Sequence, residues 1–303
     1  MVVTTGFFDG VHLGHRHILS CLKAKAAERG EESLVVTFWP HPRTVLQQDA
    51  REFRLLSTLQ EKCDLIRSFG IDGVEVLPFT REFAALSARD YLQMLGERFN
   101  ATLLVMGYDN RVGSDHMTGD SLAASCAKQP VFAHGKPVEV TSCAKQPVFA
   151  HDASRNLAIS STRIREALSA GDVKAACDML GRPYSLHGVV VAGNRMGRTL
   201  GFPTANMKLY EPLKLIPAGG VYAVDVETLG STFRGMCNIG VRPTVGPGNA
   251  LTVETNIFDF NEDIYGLDIV IRFIARIRDE RRFDSLDALR AQLAIDKSAC
   301  EKY

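Results

Sequence analysis

Val2-Val3-Thr4-Thr5-Gly6-Phe7-Phe8-Asp9-Gly10-Val11-His12-Leu13-Gly14-His15 opens the chain. Its β-branched run reads as a strand, its glycines as a turn that lets backbone approach a ligand, and the residues from His15 as a helix. Ile18, Leu19, Leu22 and Ala26 share one face of that helix, which the pattern carries to Arg29 and stops at Gly30. A strand that delivers a glycine turn to a helix start suits an anion, because the first helical turn has unpaired amides. Two histidines three apart around Gly14 can both point at one phosphate.

Outward from that stretch, residues 34–38, 74–77 and 103–106 read as further strands. Between them Thr58-x-x-Glu61 and Ser87-x-x-Asp90 open helices as capping motifs. This alternation predicts an α/β domain built on a doubly wound parallel sheet, with ligands at the carboxyl ends of its strands. Helices over 161–170 and 173–180 close the half, and Gly181-Arg182-Pro183 marks a boundary between domains 1–182 and 183–303. Beyond it the period changes. Residues 185–191, 221–227, 233–239, 251–258 and 267–277 read as strands between Gly- and Pro-rich turns, which predicts an all-β antiparallel barrel or sandwich. A helix over 286–295 ends the chain, with Leu286, Leu289 and Leu293 turned inward.

The 303 residues suffice for two such domains, and an apolar fraction of 46% against 23% charged is that of a globular protein. A formal net charge of zero argues against a nucleic-acid partner. No apolar run reaches membrane-span length, and the first residues lack a signal peptide, so the expectation is a cytoplasmic protein with no membrane partner. Cys21, Cys63, Cys126, Cys143, Cys177, Cys237 and Cys300 are scattered without a C-x-x-C pair, which predicts free thiols rather than a disulfide framework or metal site. SCAKQPVFAH at 125–134 recurs identically at 142–151. This reads as a local duplication or a sequencing or assembly error rather than a functional repeat, and as a peripheral connection, which makes His134 and His151 poor ligand candidates.

Ile159-Ser160-Ser161-Thr162-Arg163-Ile164-Arg165 places hydroxyls at a helix start followed by arginines, a cradle for polyphosphate. With H-x-G-H after the first strand, it resembles the nucleotidylyltransferases of the HIGH superfamily. The resemblance implies that His12 and His15 stabilise charge on the α-phosphate of ATP in flight. It assigns Gly6 and Gly14 to the ATP site, and Ser161, Thr162 and Arg165 to the β- and γ-phosphates. The fuller wording F-D-G-V-H-L-G-H, followed by Phe38-Trp39-Pro40-His41-Pro42, is similar to the adenylyltransferase module of bifunctional bacterial riboflavin kinase/FAD synthetases. In that family the P-H-P segment and a G-x-D/N-x-x-F-G loop flank the isoalloxazine ring. Pro40, His41, Pro42, Asp109 and Val112 are thereby implied to bind flavin.

The second half carries Gly193-Asn194-Arg195-Met196-Gly197-Arg198-Thr199-Leu200-Gly201-Phe202-Pro203-Thr204-Ala205-Asn206. Alone it reads as a glycine-rich hairpin loop, yet G-R-x-L-G-F-P-T-A-N closely resembles the riboflavin kinase signature. The resemblance implies that Gly193, Gly197 and Arg198 line the ATP loop and that Thr204 and Asn206 hold Mg²⁺ and the phosphates. Val253-Glu254-Thr255-Asn256 matches the second kinase segment, and strand alternation puts Glu254 and Asn256 on one face. The family match makes Glu254 the base for the riboflavin 5′-hydroxyl and Asn256 a flavin contact. Two departures from the family pattern stand out: the chain starts directly at the first strand, and Val112 replaces the usual phenylalanine.

These readings imply a bifunctional enzyme of the flavin kinase and nucleotidyltransferase type. It would phosphorylate riboflavin to FMN and adenylylate FMN to FAD with release of pyrophosphate, using ATP and Mg²⁺. It would act as a monomer or weak homo-oligomer. A HIGH-type transferase acting on another substrate conflicts with the kinase signature. A non-catalytic flavin binder conflicts with the presence of His12, His15, Thr204, Asn206 and Glu254.

Overall fold

The computed structural model describes residues 1–46, 53–144, 159–193, 197, 200–242 and 250–303. Among these, internal contacts group residues 1–144 and Ile159 into one unit and Ser160–Tyr303 into another. The first unit runs β1 (Val2–Thr5), α1 (Leu13–Arg29), β2 (Ser33–Trp39), α2 (Pro42–Leu46), α3 (Leu59–Ser68), β3 (Gly73–Pro78), α4 (Arg81–Ala84) and α5 (Ala88–Phe99). It continues with β4 (Leu103–Met106), β5 (Arg111–Val112), β6 (Met117–Thr118), α6 (Gly119–Lys128), β7 (Phe132–Ala133), β8 (Lys136–Pro137) and β9 (Glu139–Ser142).

Five of these strands form a parallel sheet of order β3-β2-β1-β4-β9. β1 lies at its centre and is buried on both faces. Val3 packs with Leu34, Leu92 and Leu104, while Val2 packs with Leu19, Leu22 and Ile66 on the other side. α1 starts two residues before the expected His15 and buries Leu19, Leu22 and Ala26, and Gly30 stops it in the left-handed region at φ 64°. The Thr58–Glu61 capping box forms with both of its bonds, and Ser87 caps α5.

Among the elements that the sequence reading did not catch, two bear on the core. β9 is an edge strand, Glu-Val-Thr-Ser, with no buried residue to produce alternation. α6 carries the first four residues of the duplicated decapeptide, which a repeat reading leaves without structure. The duplication is not wholly peripheral. Cys126, Val131 and Ala133 of the first copy enter the core around Leu92 and Leu122, and Cys143 of the second enters the core around Val2. Identical residues thus end a helix in one place and a strand in the other, with tertiary packing deciding over local propensity. The expectation of seven free thiols also fails, because Cys21 and Cys143 are joined as a disulfide across 122 positions.

The second unit comprises α7 (Ser161–Ser169), α8 (Val173–Leu180), β10 (Tyr184–Val191), β11 (Ala205–Leu209), β12 (Gly220–Thr228), β13 (Ser231–Arg242), β14 (Ala250–Ile257), β15 (Asp268–Arg278) and α9 (Leu286–Cys300). The strands close an antiparallel barrel of order β10-β11-β14-β13-β12-β15, with β15 returning to pair β10. Tyr184, Leu186 and Val190 alternate inward along β10, and Tyr222 and Phe273 meet edge to face in the interior. β11 escaped the sequence reading because it begins inside the glycine-rich stretch. α7 and α8 group with this barrel rather than with the sheet. Arg276 of β15 ties the end of α7 to the barrel, donating to the carbonyl of Ala170 at 3.3 Å and to that of Gly219, just before β12, at 2.5 Å.

α9 runs one turn beyond the expected 295, and Leu286 is 61% exposed rather than inward. Its anchor is polar. The Asp296 carboxylate, 1% exposed, takes three bonds of 2.7–3.1 Å from the Arg278 guanidinium and one of 2.7 Å from Gln292. Removing one member of a buried pair strands the other charge, at about 3–5 kcal/mol. Asp296→Ala is therefore expected to lower the urea midpoint of the barrel transition by a corresponding amount. An unchanged midpoint contradicts the assignment of the pair as the helix anchor.

Candidate active sites

In the first unit the chain leaves β1 through a turn fixed by one carboxylate. Asp9, 4% exposed, accepts from the amides of Leu56 and Ser57 at 3.0 Å and from the Ser57 hydroxyl at 3.2 Å. The amide of Gly10, at φ 78°, donates to Ser57 Oγ at 3.0 Å. The turn delivers His12 as the N-cap of α1, where its Nδ1 accepts from the His15 amide at 3.3 Å. The His12 and His15 rings stack with centroids 3.6 Å apart and 14° between planes. Gly14 permits this approach, since a Cβ there would sit 3.2 Å from the His12 ring and 4.0 Å from the Ile159 carbonyl oxygen. A Cβ at Gly6 would lie 3.2 Å from the Phe8 ring.

His15 Nδ1 is buried and has no hydrogen-bond partner among the described residues. Burial, then the neighbouring His12 and Lys62, push the His15 pKa well below its usual value, so the ring is neutral in the free protein. An orphaned imidazole nitrogen beside a second imidazole at a helix start is poised for a polyanion. Phosphate oxygens would satisfy the nitrogen and favour the charged form.

Lys62 was not foreseen. It lies on α3, 1% exposed, donates to the Phe38 carbonyl at 3.1 Å and stands 3.8 Å from the centroid of the Phe7 ring. Burial lowers its pKa to about 8, against the opposing pull of Asp9. A lysine at the fourth position of a capped amphipathic helix reads as surface, and its register against the Phe7 turn exists only in the folded chain.

The implied flavin residues cluster at the ends of β2 and β4. Trp39–Pro40 is cis, the His41 ring meets Phe7 edge-on at 4.0 Å and Phe53 at 4.2 Å, and Pro42 opens α2. Asp109 is exposed in the turn after β4, whereas Val112 is 8% exposed and belongs to a core cluster that includes Phe38 and Phe83. Ser161 and Thr162 form the first turn of α7 and Arg165 lies in the second, in the other unit. The helix is capped by Ser160 Oγ, which accepts from the Arg163 amide at 3.3 Å.

In the barrel, Glu254 on β14 stands in register between Asn206 on β11 and Asn238 on β13. Glu254 and Asn256 line a cavity of about 290 Å³ together with Asn238, a residue the sequence did not single out. Its apolar wall includes Phe202, Met236, Phe283 and Leu293. Thr255 and Ile257, which alternate with them along β14, line a second cavity of about 260 Å³ together with Asp263 and Tyr265. Thr204 lines both cavities. Asn256 Nδ2 donates to the Pro203 carbonyl at 2.7 Å and so fixes the chain next to Thr204. Two predicted glycines press on the same residues. A Cβ at Gly193 would lie 2.3 Å from Asn206 Nδ2, and one at Gly197 would lie 3.3 Å from Thr204 Oγ1. Arg198 lies outside the described residues.

An FAD synthetase family model matches residues 1–145, and a riboflavin kinase family model matches residues 180–303. The chain is 34% identical over 310 residues to a bifunctional riboflavin kinase/FMN adenylyltransferase of Bacillus subtilis (strain 168), covering 100% of this chain and 92% of that protein. It is 36% identical over 304 residues to the protein of the same description from Escherichia coli (strain K12), covering 100% and 92%. A crystal structure from Streptococcus pneumoniae, described as a macrolide-efflux protein, matches with a TM-score of 0.87 at 35% identity over 100% of this chain and 94% of that one. No described helix is long and apolar enough to cross a membrane.

Lys62 gives this site a pH signature. Its folded pKa of about 8 lies below the ordinary 10.5, so between those values the unfolded chain holds a proton that the folded one has released. Its contribution therefore rises with pH through that window, by about 3 kcal/mol in all. Unfolding curves from pH 7 to 11 should show the parent gaining stability relative to Lys62→Met. Parallel profiles would contradict the buried ammonium.

Proposed function

Since the chain belongs to the family of bifunctional riboflavin kinase/FMN adenylyltransferases, we propose that its barrel unit makes FMN from riboflavin and its parallel-sheet unit makes FAD from FMN. The observation that carries the kinase reading is the pair of cavities meeting at Thr204, with Glu254 and Asn256 on one side and Thr255 and Ile257 on the other. The cavity with the aromatic and aliphatic wall suits an isoalloxazine ring, and the smaller one suits ATP. The transferred phosphoryl group then passes beside Thr204.

The Glu254 carboxylate accepts the proton of the riboflavin 5′-hydroxyl as that oxygen attacks the γ-phosphorus, and ADP leaves. Asn256 holds the ribityl side of the flavin and keeps Thr204 in place through Pro203. Thr204 Oγ1 and the Asn206 carboxamide oxygen are hard donors of the kind Mg²⁺ prefers, and the glycines beside them leave the space that these side chains occupy. Bound there, Mg²⁺ would neutralise charge on the phosphates. Gly193, Gly197 and Arg198 would follow the nucleotide.

For adenylyl transfer, an FMN phosphate oxygen attacks the α-phosphorus of ATP and pyrophosphate leaves. No covalent enzyme intermediate is needed, because phosphoryl chemistry asks mainly for positioning and charge stabilisation. His12 and His15 donate to the charge that develops on the α-phosphate, and the Gly6–Gly14 turn lets the nucleotide close on the backbone. Pro40, His41 and Pro42 flank the flavin with the Asp109–Val112 loop. The efflux description belongs to the structural relative, whereas the four motifs carry the enzymatic reading here.

The two steps should separate by mutation. Losing a preorganised donor costs ~3–4 kcal/mol in the transition state, so His12→Ala with His15→Ala should stop FAD formation while FMN accumulates from riboflavin. FAD at the parent rate would sink the assignment. Glu254→Gln should slow FMN formation by about 10²–10⁴-fold, the usual worth of a general base. Conversion of supplied FMN to FAD should survive in that variant. A proportionate loss of both activities contradicts the role.

A further inference from the structure

Beyond the His12–His15 pair, three donor atoms of the first unit that neither activity uses converge. His17 and Cys21 stand one turn apart on α1, and Cys143 directly follows β9. His17 Nε2 and the two sulfurs all lie within 4.8 Å of one another. The nitrogen is 3.2 Å from Cys143 Sγ and 3.8 Å from Cys21 Sγ. In a tetrahedral centre with metal–sulfur bonds of ~2.3 Å and metal–nitrogen bonds of ~2.0–2.1 Å, the nitrogen–sulfur edge is about 3.5 Å. His17 therefore already stands at ligand spacing from both sulfurs. The two Cα atoms are 6.4 Å apart, and both cysteines pack in the core around Val2 and Leu22, so the backbone is held by packing independent of the S–S bond. Rotation about the side-chain bonds is enough to part the sulfurs to a tetrahedral edge.

We propose that, with Cys21 and Cys143 reduced, His17, Cys21 and Cys143 bind one thiophilic divalent cation of the Zn²⁺ type, and that closing the disulfide abolishes the site. Binding displaces the two thiol protons. His17 ligates as neutral imidazole through Nε2 with its hydrogen on Nδ1, giving up its 3.1 Å contact to the Ala144 carbonyl. Three protein ligands leave a fourth position for water. Closing the disulfide removes two electrons and two protons from the thiols and passes them to a small-molecule disulfide, which becomes two thiols. A phosphine or dithiol reductant supplies the reverse. Among the described residues no other trio of histidine, cysteine or carboxylate donors converges in this way. The site joins α1, which His12 caps and whose first turn holds His15, to the residue after the last strand of the sheet. Its existence does not depend on the activity proposed above.

The test is Co²⁺ titration of the full chain after phosphine reduction and anaerobic desalting. One cobalt per chain is expected, with thiolate-to-cobalt absorption that Zn²⁺ bleaches. Cys21→Ser and Cys143→Ser should lose the absorption, His17→Ala should weaken binding, and Cys177→Ser should behave as the parent. Parent protein oxidised with a small disulfide should also lose it, a control that needs no substitution and keeps the fold seen here. A reduced parent that takes up no cobalt overturns the proposal. So does a thiolate signal that persists in both serine variants or in the oxidised parent.

Discussion

Strand register is the constraint on which the chemistry of both units depends. β14 is an interior strand of a closed barrel, hydrogen-bonded to β11 and β13, and its register places Glu254 level with Asn206 and Asn238. Because side chains alternate, a slip of one residue would turn Glu254 and Asn256 away from the aromatic cavity and bring Thr255 and Ile257 into it. Barrel closure resists such a slip, since β10 must still meet both β11 and β15. In the parallel sheet β1 plays the corresponding part. Its pairing with β2 and β4 fixes where Thr5 ends, and every step to His12 is counted from there.

The first site is held with desolvated polar groups. Asp9 spends its oxygens on the backbone of Leu56 and Ser57, Lys62 faces the Phe7 ring with one backbone bond, and His15 keeps a buried nitrogen unmatched. Each burial costs stability on its own. Together they form an unliganded state that gains from added negative charge, as a nucleotide site should. The barrel site is organised differently. Its polar row lines a cavity with an apolar wall, and the buried Arg278–Asp296 pair fixes the helix that supplies part of that wall through Leu293.

Much of this was legible in the sequence. The period-two runs of the barrel, the α1 face and the Thr58–Glu61 box follow local rules that the fold does not override. Both glycine clusters announced close approach, and the structure shows what approaches: the His12 ring at Gly14 and the Asn206 amide at Gly193. What stayed hidden depends on contacts distant in sequence. Lys62 acquires its environment from Phe7 and Phe38, Asn238 from strand register, and the Cys21–Cys143 pair from the meeting of α1 with β9. β9 itself has no buried face from which a period could be read. Leu286 failed in the other direction, because helical periodicity marks a face without saying where the helix first meets the barrel.

The central claim is that one chain transfers two different phosphorus atoms of ATP to the same flavin. Supplying the full-length protein with riboflavin and ATP labelled at either the γ- or the α-phosphorus, then separating the flavins, tests it directly. The account predicts γ-label in both FMN and FAD, and α-label in FAD alone. α-Label absent from every flavin product, or γ-label absent from FMN, would contradict it.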